Sequence, residues 1–156
     1  MYLEISGRRS GKTTRLVDDM VEYIDMTDSV VVLRAPSTNT KEWYMDQIPK
    51  GYHEHIRYTN PISNKVTHLE ICDVRIYFDE FTQLENNNYN IIKDNAYYVT
   101  TPAGRKISFL HALLGKNKGC YNHYNIMDKY TNEELEYYIE TIGRVDFNRE
   151  ILGRWY

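Results

Sequence analysis

The sequence is poor in cysteine and has no long apolar run. Its two cysteines, Cys72 and Cys120, form no metal-ligand pattern, and we interpret both as buried thiols in a reducing compartment. No apolar stretch approaches the roughly 18 residues that a membrane-spanning helix needs. The first residues lead directly into a strand-like run without a basic leader, which argues against a secretory signal. We therefore expect a cytoplasmic chain that makes no contact with a membrane.

A basic excess and a metal-binding histidine pattern are also missing. Nineteen lysines and arginines stand against 22 acidic residues, for a net charge of −3. A protein that grips DNA by itself usually carries excess positive charge, so strong autonomous DNA binding is not expected, although contact within an assembly stays open. Among five histidines, His53 and His55 lie two apart in a loop, which is not a zinc spacing.

Short apolar segments alternate with amphipathic ones along the chain, without a repeat or a linker. Strands are predicted at 3–6, 30–33, 65–71, 74–78, 96–100 and 120–127. Helices are predicted after the turn at 7–11 and up to a break at 28–29, at 40–48, at 106–114 and near the C-terminus, whereas 49–64 is predicted to be irregular. This alternation predicts a single α/β domain over residues 1–156, a three-layer sandwich around a mainly parallel sheet.

The C-terminal helix has clear start and stop signals. Thr131 and Glu134 have the spacing of a capping box, in which each side chain bonds the other residue's backbone N–H. Apolar residues then follow at helical spacing. Gly143 is predicted to end the helix.

The strongest local signal is a phosphate-binding loop between the first strand and the first helix. The loop and the residue after it comprise Ser6, Gly7, Arg8, Arg9, Ser10, Gly11, Lys12, Thr13 and Thr14. In such a loop, backbone N–H groups and the helix N-terminus surround a β-phosphate. Lys12 can reach the β and γ oxygens, and the Thr13 hydroxyl can bind Mg²⁺. Ser6 stands where the usual pattern has its first glycine, so the loop is a variant. The expected ligands are ATP and Mg²⁺.

An apolar strand, 76–78, ends in the two carboxylates Asp79 and Glu80. Mg²⁺ needs a carboxylate opposite the Thr13 hydroxyl, and Asp79 fits that role. Hydrolysis needs a group that orients and deprotonates the attacking water, and Glu80 fits that role. Because kinases of small nucleotides often lack such a glutamate, the pair favours an ATPase of the additional-strand (ASCE) class.

A third apolar strand ends in the hydroxyls of Thr100 and Thr101. In ATPases of this class, a polar residue at such a strand end can sense the γ-phosphate. The segment that follows is also a good turn sequence, so both interpretations stay open from the residues alone.

Together these segments resemble the ATPase domain of large terminase subunits, the DNA-packaging motors of tailed phages. That family has an arginine four residues before the loop lysine, as Arg8 stands before Lys12. It has an apolar strand ending in Asp-Glu, matched by Asp79 and Glu80. Its coupling motif, Ser/Thr-Thr-Pro followed by Gly, is matched at 100–104.

Two weaker matches extend the resemblance over nearly the whole chain. Phe109 could represent the aromatic-containing helix that often follows the coupling motif. Residues 147–155 look like the segment in which an aromatic residue precedes Arg/Gln-Glu, an apolar pair and Gly.

The resemblance implies an ATPase in which Arg8, Lys12 and Glu80 are catalytic. It also implies a ring-shaped homo-oligomer or a phage packaging assembly on double-stranded DNA, in the host cytoplasm. The family's N-terminal adenine-binding portion and its nuclease domain have no counterpart in this sequence, so DNA cleavage is not expected.

Two other functions stay open. A nucleotide-binding regulator with little turnover is compatible with the same residues. A small-molecule or nucleotide kinase would need an arginine-rich lid, and beyond Arg8, Arg9 and Arg105 the sequence offers no such segment.

Overall fold

The structure is a computed structural model, in which residues 1–35, 41–59, 73–80, 94–101, 122–124 and 129–154 are described. Its centre is a five-stranded sheet in which every pair of neighbouring strands is parallel. The strands are β1 (Tyr2–Ile5), β2 (Val31–Arg34), β3 (Ile56–Thr59), β4 (Ile76–Phe78) and β5 (Tyr97–Thr100). They lie in the order β1-β5-β4-β2-β3. The mixed α/β fold with a parallel sheet is therefore confirmed.

Three α-helices and one 3-10 helix accompany the sheet in the described ranges. They are α1 (Lys12–Thr27), α2 (Lys41–Gln47), the 3-10 helix (Lys50–His55) and α3 (Asn132–Glu150). Helix α1 buries Leu16, Met20 and Ile24 in the main core, as its apolar periodicity predicts. Both helices α1 and α2 contribute side chains to this core, against one face of β2 to β5.

The other face of the sheet is buried as well. Leu3, Val32, Ile76 and Tyr98 alternate with the residues that face α1, and each is at most 3% exposed. Strands of a parallel sheet covered on both faces read as continuous apolar runs, which explains why β2 could be predicted without an alternating pattern. Burial of both faces is what a three-layer arrangement requires.

One sequence prediction needs correction. The sequence predicts an irregular segment at 49–64, but this segment contains the 3-10 helix and strand β3. Only Ile56 of that strand is fully buried, so the strand has no apolar run to reveal it. The predicted helix end at Gly143 is confirmed: its φ of 78° and ψ of 159° lie outside the helical region, and the range given for α3 joins two helical segments, the second of which runs to Glu150. The capping box of Thr131 and Glu134 is confirmed.

Several predictions lie outside the described residues. They are the strand at 65–71, the helix at 106–114, Phe109, the burial of both cysteines and most of the strand at 120–127. Within the last segment, Asn122 forms a parallel bridge with Glu4 of β1. No helix in the described part of the chain is long and apolar enough to cross a membrane.

Candidate functional site

The candidate site lies where the carboxyl ends of β1, β5 and β4 meet. Strand β5 pairs with β1 on one side and with β4 on the other. Because parallel strands end at the same edge of the sheet, the loop after β1, Asp79 and Glu80 after β4, and Thr101 after β5 come together there. Strand β5 thus lies between the strand that precedes the predicted phosphate loop and the strand that precedes the acidic pair.

The phosphate loop turns sharply between β1 and α1. Arg9 and Gly11 have φ angles of 60° and 78°, and α1 begins at Lys12. The left-handed region costs little for glycine but is uncommon for arginine. Ser10 is buried, and its hydroxyl has no hydrogen-bond partner among the described residues. The exposed Thr14 follows on the first turn of α1.

A buried glutamate on β1, which sequence reasoning missed, supports the base of the loop. Glu4 is 0% exposed and accepts hydrogen bonds from Arg15 Nη2 at 2.6 Å and from Ser6 Oγ at 2.9 Å. A buried carboxylate is tolerated only when it is paired and hydrogen-bonded. The contact also accounts for serine at position 6, because a glycine there would leave Glu4 without one donor. The sequence feature that could have revealed this contact is the acidic residue Glu4 within an otherwise apolar strand.

Lys12 and Glu80 form an ion pair in the site. The Lys12 Nζ atom lies 2.9 Å from Glu80 Oε1, and the lysine side chain is 8% exposed. Glu80 also accepts hydrogen bonds from the Thr101 backbone N–H at 2.9 Å and the Thr101 hydroxyl at 3.1 Å. The Thr100 hydroxyl lies 3.5 Å from the same carboxylate. The end of β5 therefore holds Glu80 in place.

Asp79 has different partners, Thr13 of α1 and Tyr44 of α2. Its Oδ2 atom accepts hydrogen bonds from the Thr13 hydroxyl at 3.0 Å and from the buried Tyr44 hydroxyl of α2. Glu80 has φ 48°, a left-handed backbone conformation next to Asp79. Together the two residues send their carboxylates to different partners, as expected for neighbours at a strand end. The sequence does not predict the role of Tyr44, because an aromatic residue in a short helix resembles any core side chain.

The electrostatics of Asp79 distinguish it from a surface carboxylate. Burial, and after it the negative charge of Glu80, raises the pKa of Asp79 to about 6. Its Oδ1 atom is buried and has no hydrogen-bond partner in the described part of the chain. A buried carboxylate oxygen without a donor is costly, and a cation would relieve that cost. Hydroxyl and carboxylate oxygens are suitable Mg²⁺ ligands, so Thr13 and Asp79 fit a magnesium ion.

The two loop arginines point away from these carboxylates. Arg8 Nη2 lies 2.8 Å from Glu150 Oε2, with the arginine side chain 64% exposed. Arg9 Nη1 lies 3.2 Å from Glu134 Oε1. The acidic partners of both arginines lie on α3, and Tyr130 also contacts both arginines. Its hydroxyl donates to the Arg8 carbonyl, and its ring lies 4.9 Å below the Arg9 guanidinium.

The end of α3 also touches the loop backbone. The Arg8 N–H donates to the Glu150 carbonyl at 2.7 Å. Gly153 has φ 64°, and a Cβ atom there would lie 2.6 Å from the carbonyl carbon of Ser6 and closer still to the amide nitrogen of Gly7. The region 147–153 is therefore a backbone support of the phosphate loop, which no sequence signal predicts.

Comparison with known proteins identifies the fold but no family. No protein-family model matches the chain. The CRISPR-associated endoribonuclease Cas13a of Leptotrichia wadei (strain F0279) is 26% identical over an alignment of 159 residues, which covers 96% of this chain and 13% of that protein. The large terminase from a thermophilic bacteriophage superposes with a TM-score of 0.67 at 15% identity, over 99% of this chain and 48% of that one.

The structural comparison assigns the chain a terminase-like α/β fold. The chain spans about half the length of the terminase structure and about an eighth of the length of the curated relative.

Proposed function

We propose that this chain is a Mg²⁺-dependent ATPase domain of the additional-strand P-loop class, acting in a packaging motor of the terminase type. The observation that carries the proposal is the division of the two carboxylates: Asp79 bonds the Thr13 hydroxyl, and Glu80 pairs with Lys12. The position of β5 between β1 and β4 supports the class. The likeness to a large terminase supports the motor.

Nucleotide binding would use the loop backbone and Lys12. The N–H groups at the start of α1 and the helix dipole favour an anion. The Lys12 ammonium is nearly buried, and in this structure its negative partner is Glu80. A triphosphate would offer stronger negative charge at the same place, so Lys12 would exchange a carboxylate for phosphate oxygens.

Thr13 and Asp79 would hold Mg²⁺, which supplies positive charge to the β- and γ-phosphates when bound. The Thr13 hydroxyl now donates to Asp79 Oδ2. Both oxygens are thus already side by side, and Tyr44 fixes the carboxylate from α2. The Asp79 Oδ1 atom is buried without a hydrogen-bond partner among the described residues, so it is available to bind the ion.

Glu80 would act as the general base. Two hydrogen bonds from Thr101 hold its carboxylate after Lys12 turns to the phosphates. A carboxylate in a fixed position can orient a water and accept its proton as the water attacks the γ-phosphate. Thr100 and Thr101 would sense the γ-phosphate at the end of β5, and their contacts with Glu80 would couple that carboxylate to the strand.

Arg8 would complete the site by moving. Its ion pair with Glu150 is largely exposed, and exposed pairs contribute only about 0–1 kcal/mol. The guanidinium can therefore leave Glu150 at little cost and approach the γ-phosphate, where its planar donors suit bidentate contact. Arg9 would stay with Glu134 and Tyr130.

DNA contact would require an assembly. The net charge of −3 offers little grip for one copy, since DNA affinity depends on neutralising phosphates with basic residues. We therefore propose a ring of copies, or a packaging assembly that supplies the basic surface, around double-stranded DNA.

Phosphate release from ATP with Mg²⁺, measured with and without double-stranded DNA, tests the proposal. Turnover is expected, and stimulation by DNA would support the motor. Lys12→Ala should abolish tight ATP binding in calorimetry while circular dichroism stays unchanged. Glu80→Gln is the matched control: it should bind ATP at least as tightly, because Lys12 loses its competing partner, but should not hydrolyse it.

Binding without turnover in the unmodified protein would favour a regulator. Phosphate transfer to a nucleoside monophosphate would favour a kinase. Unchanged ATP affinity in a folded Lys12→Ala protein would refute the phosphate-loop assignment.

A further inference from the structure

A cavity of about 120 Å³ lies between the first turns of α1 and helix α2. It opens next to Thr13, at the point where the phosphate loop leads into the helix. The lining residues are Thr13, Thr14, Val17, Asp18, Trp43 and Gln47. Pockets for whole drug-sized ligands are about 300–1,000 Å³, so this cavity has room for one part of a ligand, such as a single planar ring system.

The walls of the cavity come from helical neighbours. Thr14 and Asp18 are four residues apart on α1, and Trp43 and Gln47 are four apart on α2, so each pair lies on one helix face. Trp43 is 51% exposed although it is large and apolar. Its ring stands edge-on to the buried Tyr44, with the ring centroids 5.0 Å apart. The indole is therefore held by one neighbour while half its surface faces outward.

The chemistry of this lining combines an aromatic surface with a polar rim. Trp43 and Val17 offer apolar contact, while Thr14, Asp18 and Gln47 offer hydrogen-bonding groups. Aromatic rings stack on any nucleobase, since every base has a π-face. The Asp18 carboxylate accepts hydrogen bonds only, so it suits an amino group on the edge of a base.

We propose that this cavity holds the base of the nucleotide whose phosphates occupy the loop, with the base stacked on Trp43. The inference rests on the proposed function, which supplies the triphosphate next to Thr13 and Thr14. It adds a base-binding subsite formed by α1 and α2, and it predicts that the protein distinguishes ATP from a triphosphate without a base.

Calorimetry with Mg-ATP and with Mg-tripolyphosphate tests the subsite. Trp43→Ala should weaken ATP binding by about tenfold or more, the effect of losing one base–aromatic stack, and should change tripolyphosphate affinity by less than about twofold. Trp43→Phe keeps an aromatic ring and should recover most of the affinity. Tyr137→Ala removes another exposed aromatic, 63% exposed on α3, and should change neither affinity.

A fluorescence titration provides an independent readout. The sequence has two tryptophans, so Trp155→Phe leaves Trp43 as the single emitter. ATP should change its emission, and tripolyphosphate should not.

The possible failures are distinguishable. Equal weakening of ATP and tripolyphosphate by Trp43→Ala would mean that Trp43 acts through Tyr44 and Asp79, and it would overturn the subsite. Unchanged ATP affinity in that variant would overturn it too, while the proposed function would stand. If the unmodified protein binds neither ligand, the proposed function itself fails.

Discussion

Gly153→Ala tests whether the end of α3 supports the phosphate loop. An alanine there must adopt a φ of 64°, and its Cβ would lie 2.6 Å from the carbonyl carbon of Ser6. The left-handed conformation costs roughly 1–2 kcal/mol. The contact is with backbone and cannot be relieved by a side-chain rotation, so overpacking adds roughly 1–3 kcal/mol. We expect a total loss of about 2–5 kcal/mol in the free energy of unfolding.

Thermal and urea denaturation would measure this loss. For a chain of this size, 1 kcal/mol lowers the melting temperature by about 2–4 °C, so a decrease on the order of 10 °C is expected. Gly51→Ala is the matched control, because a Cβ there meets nothing within 4 Å and the φ angle is not positive. That variant should stay within about 0.5 kcal/mol of the unmodified protein.

Gly143→Ala separates backbone strain from contact. Its φ is 78°, but a Cβ there also meets nothing within 4 Å, so it should lose stability without moving the loop. The amide resonance of Gly7 in nuclear magnetic resonance spectra should shift in Gly153→Ala and stay in place in Gly143→Ala. A loss of less than about 1 kcal/mol in the free energy of unfolding of Gly153→Ala would be below the cost of backbone strain alone. That result, or an unchanged Gly7 resonance, would show that the end of α3 does not support the phosphate loop.

Two further predictions concern the charged groups of the site. Asp79→Asn should weaken ATP binding in the presence of Mg²⁺ more than in its absence, because an amide oxygen is a poorer ligand for a hard cation than a carboxylate oxygen. Calorimetry with and without Mg²⁺ measures this difference. Equal weakening under both conditions would contradict the role of Asp79 as a metal ligand. Arg8→Ala and Arg8→Lys should each lower steady-state hydrolysis by at least about tenfold with little change in ATP affinity, as expected for a transition-state contact. Arg9→Ala should lower hydrolysis less than Arg8→Ala does. Glu150→Gln removes the ion-pair partner of Arg8 and should not lower turnover. Equal losses of hydrolysis in Arg8→Ala and Arg9→Ala would contradict the transition-state role of Arg8.

The sequence predicts those parts of the fold that depend on local patterns. The apolar run before Arg34 predicts a buried strand, and the spacing of Leu16, Met20 and Ile24 predicts the face that α1 buries. The capping box at Thr131 is a local hydrogen-bond pattern, so its residues are enough to reveal it. Strand β3 is not predicted from the sequence, because its side chains after Ile56 are not fully buried and form no apolar run.

The candidate site also has parts that local sequence patterns predict and parts that they do not. Glycine, lysine and threonine at fixed spacing predict the loop, because the chemistry of phosphate binding depends on consecutive residues. The sequence predicts Asp79 opposite the Thr13 hydroxyl, but it does not predict the ion pair of Lys12 with Glu80, which depends on the order of the strands. The contacts of Arg8 with Glu150 and of Glu4 with Arg15 depend on tertiary packing, and no local pattern encodes them.

The neighbours of β1 have a consequence for the order of folding. Tyr2 pairs with Tyr97 on one side, and Glu4 bridges to Asn122 on the other. Strands β2, β3 and β4 pair among residues 31–78 and can assemble without these distant segments. Contacts between distant parts of a chain form slowly, because loop closure is costly.

We therefore expect β1, which is synthesised first among these strands, to join the sheet last. Until residues 97–100 and Asn122 have been synthesised, β1 lacks its pairing partners, and unpaired strands are prone to aggregate. A chain that is cut or stalled before that point keeps the phosphate-loop sequence but lacks the contacts that give the loop its shape.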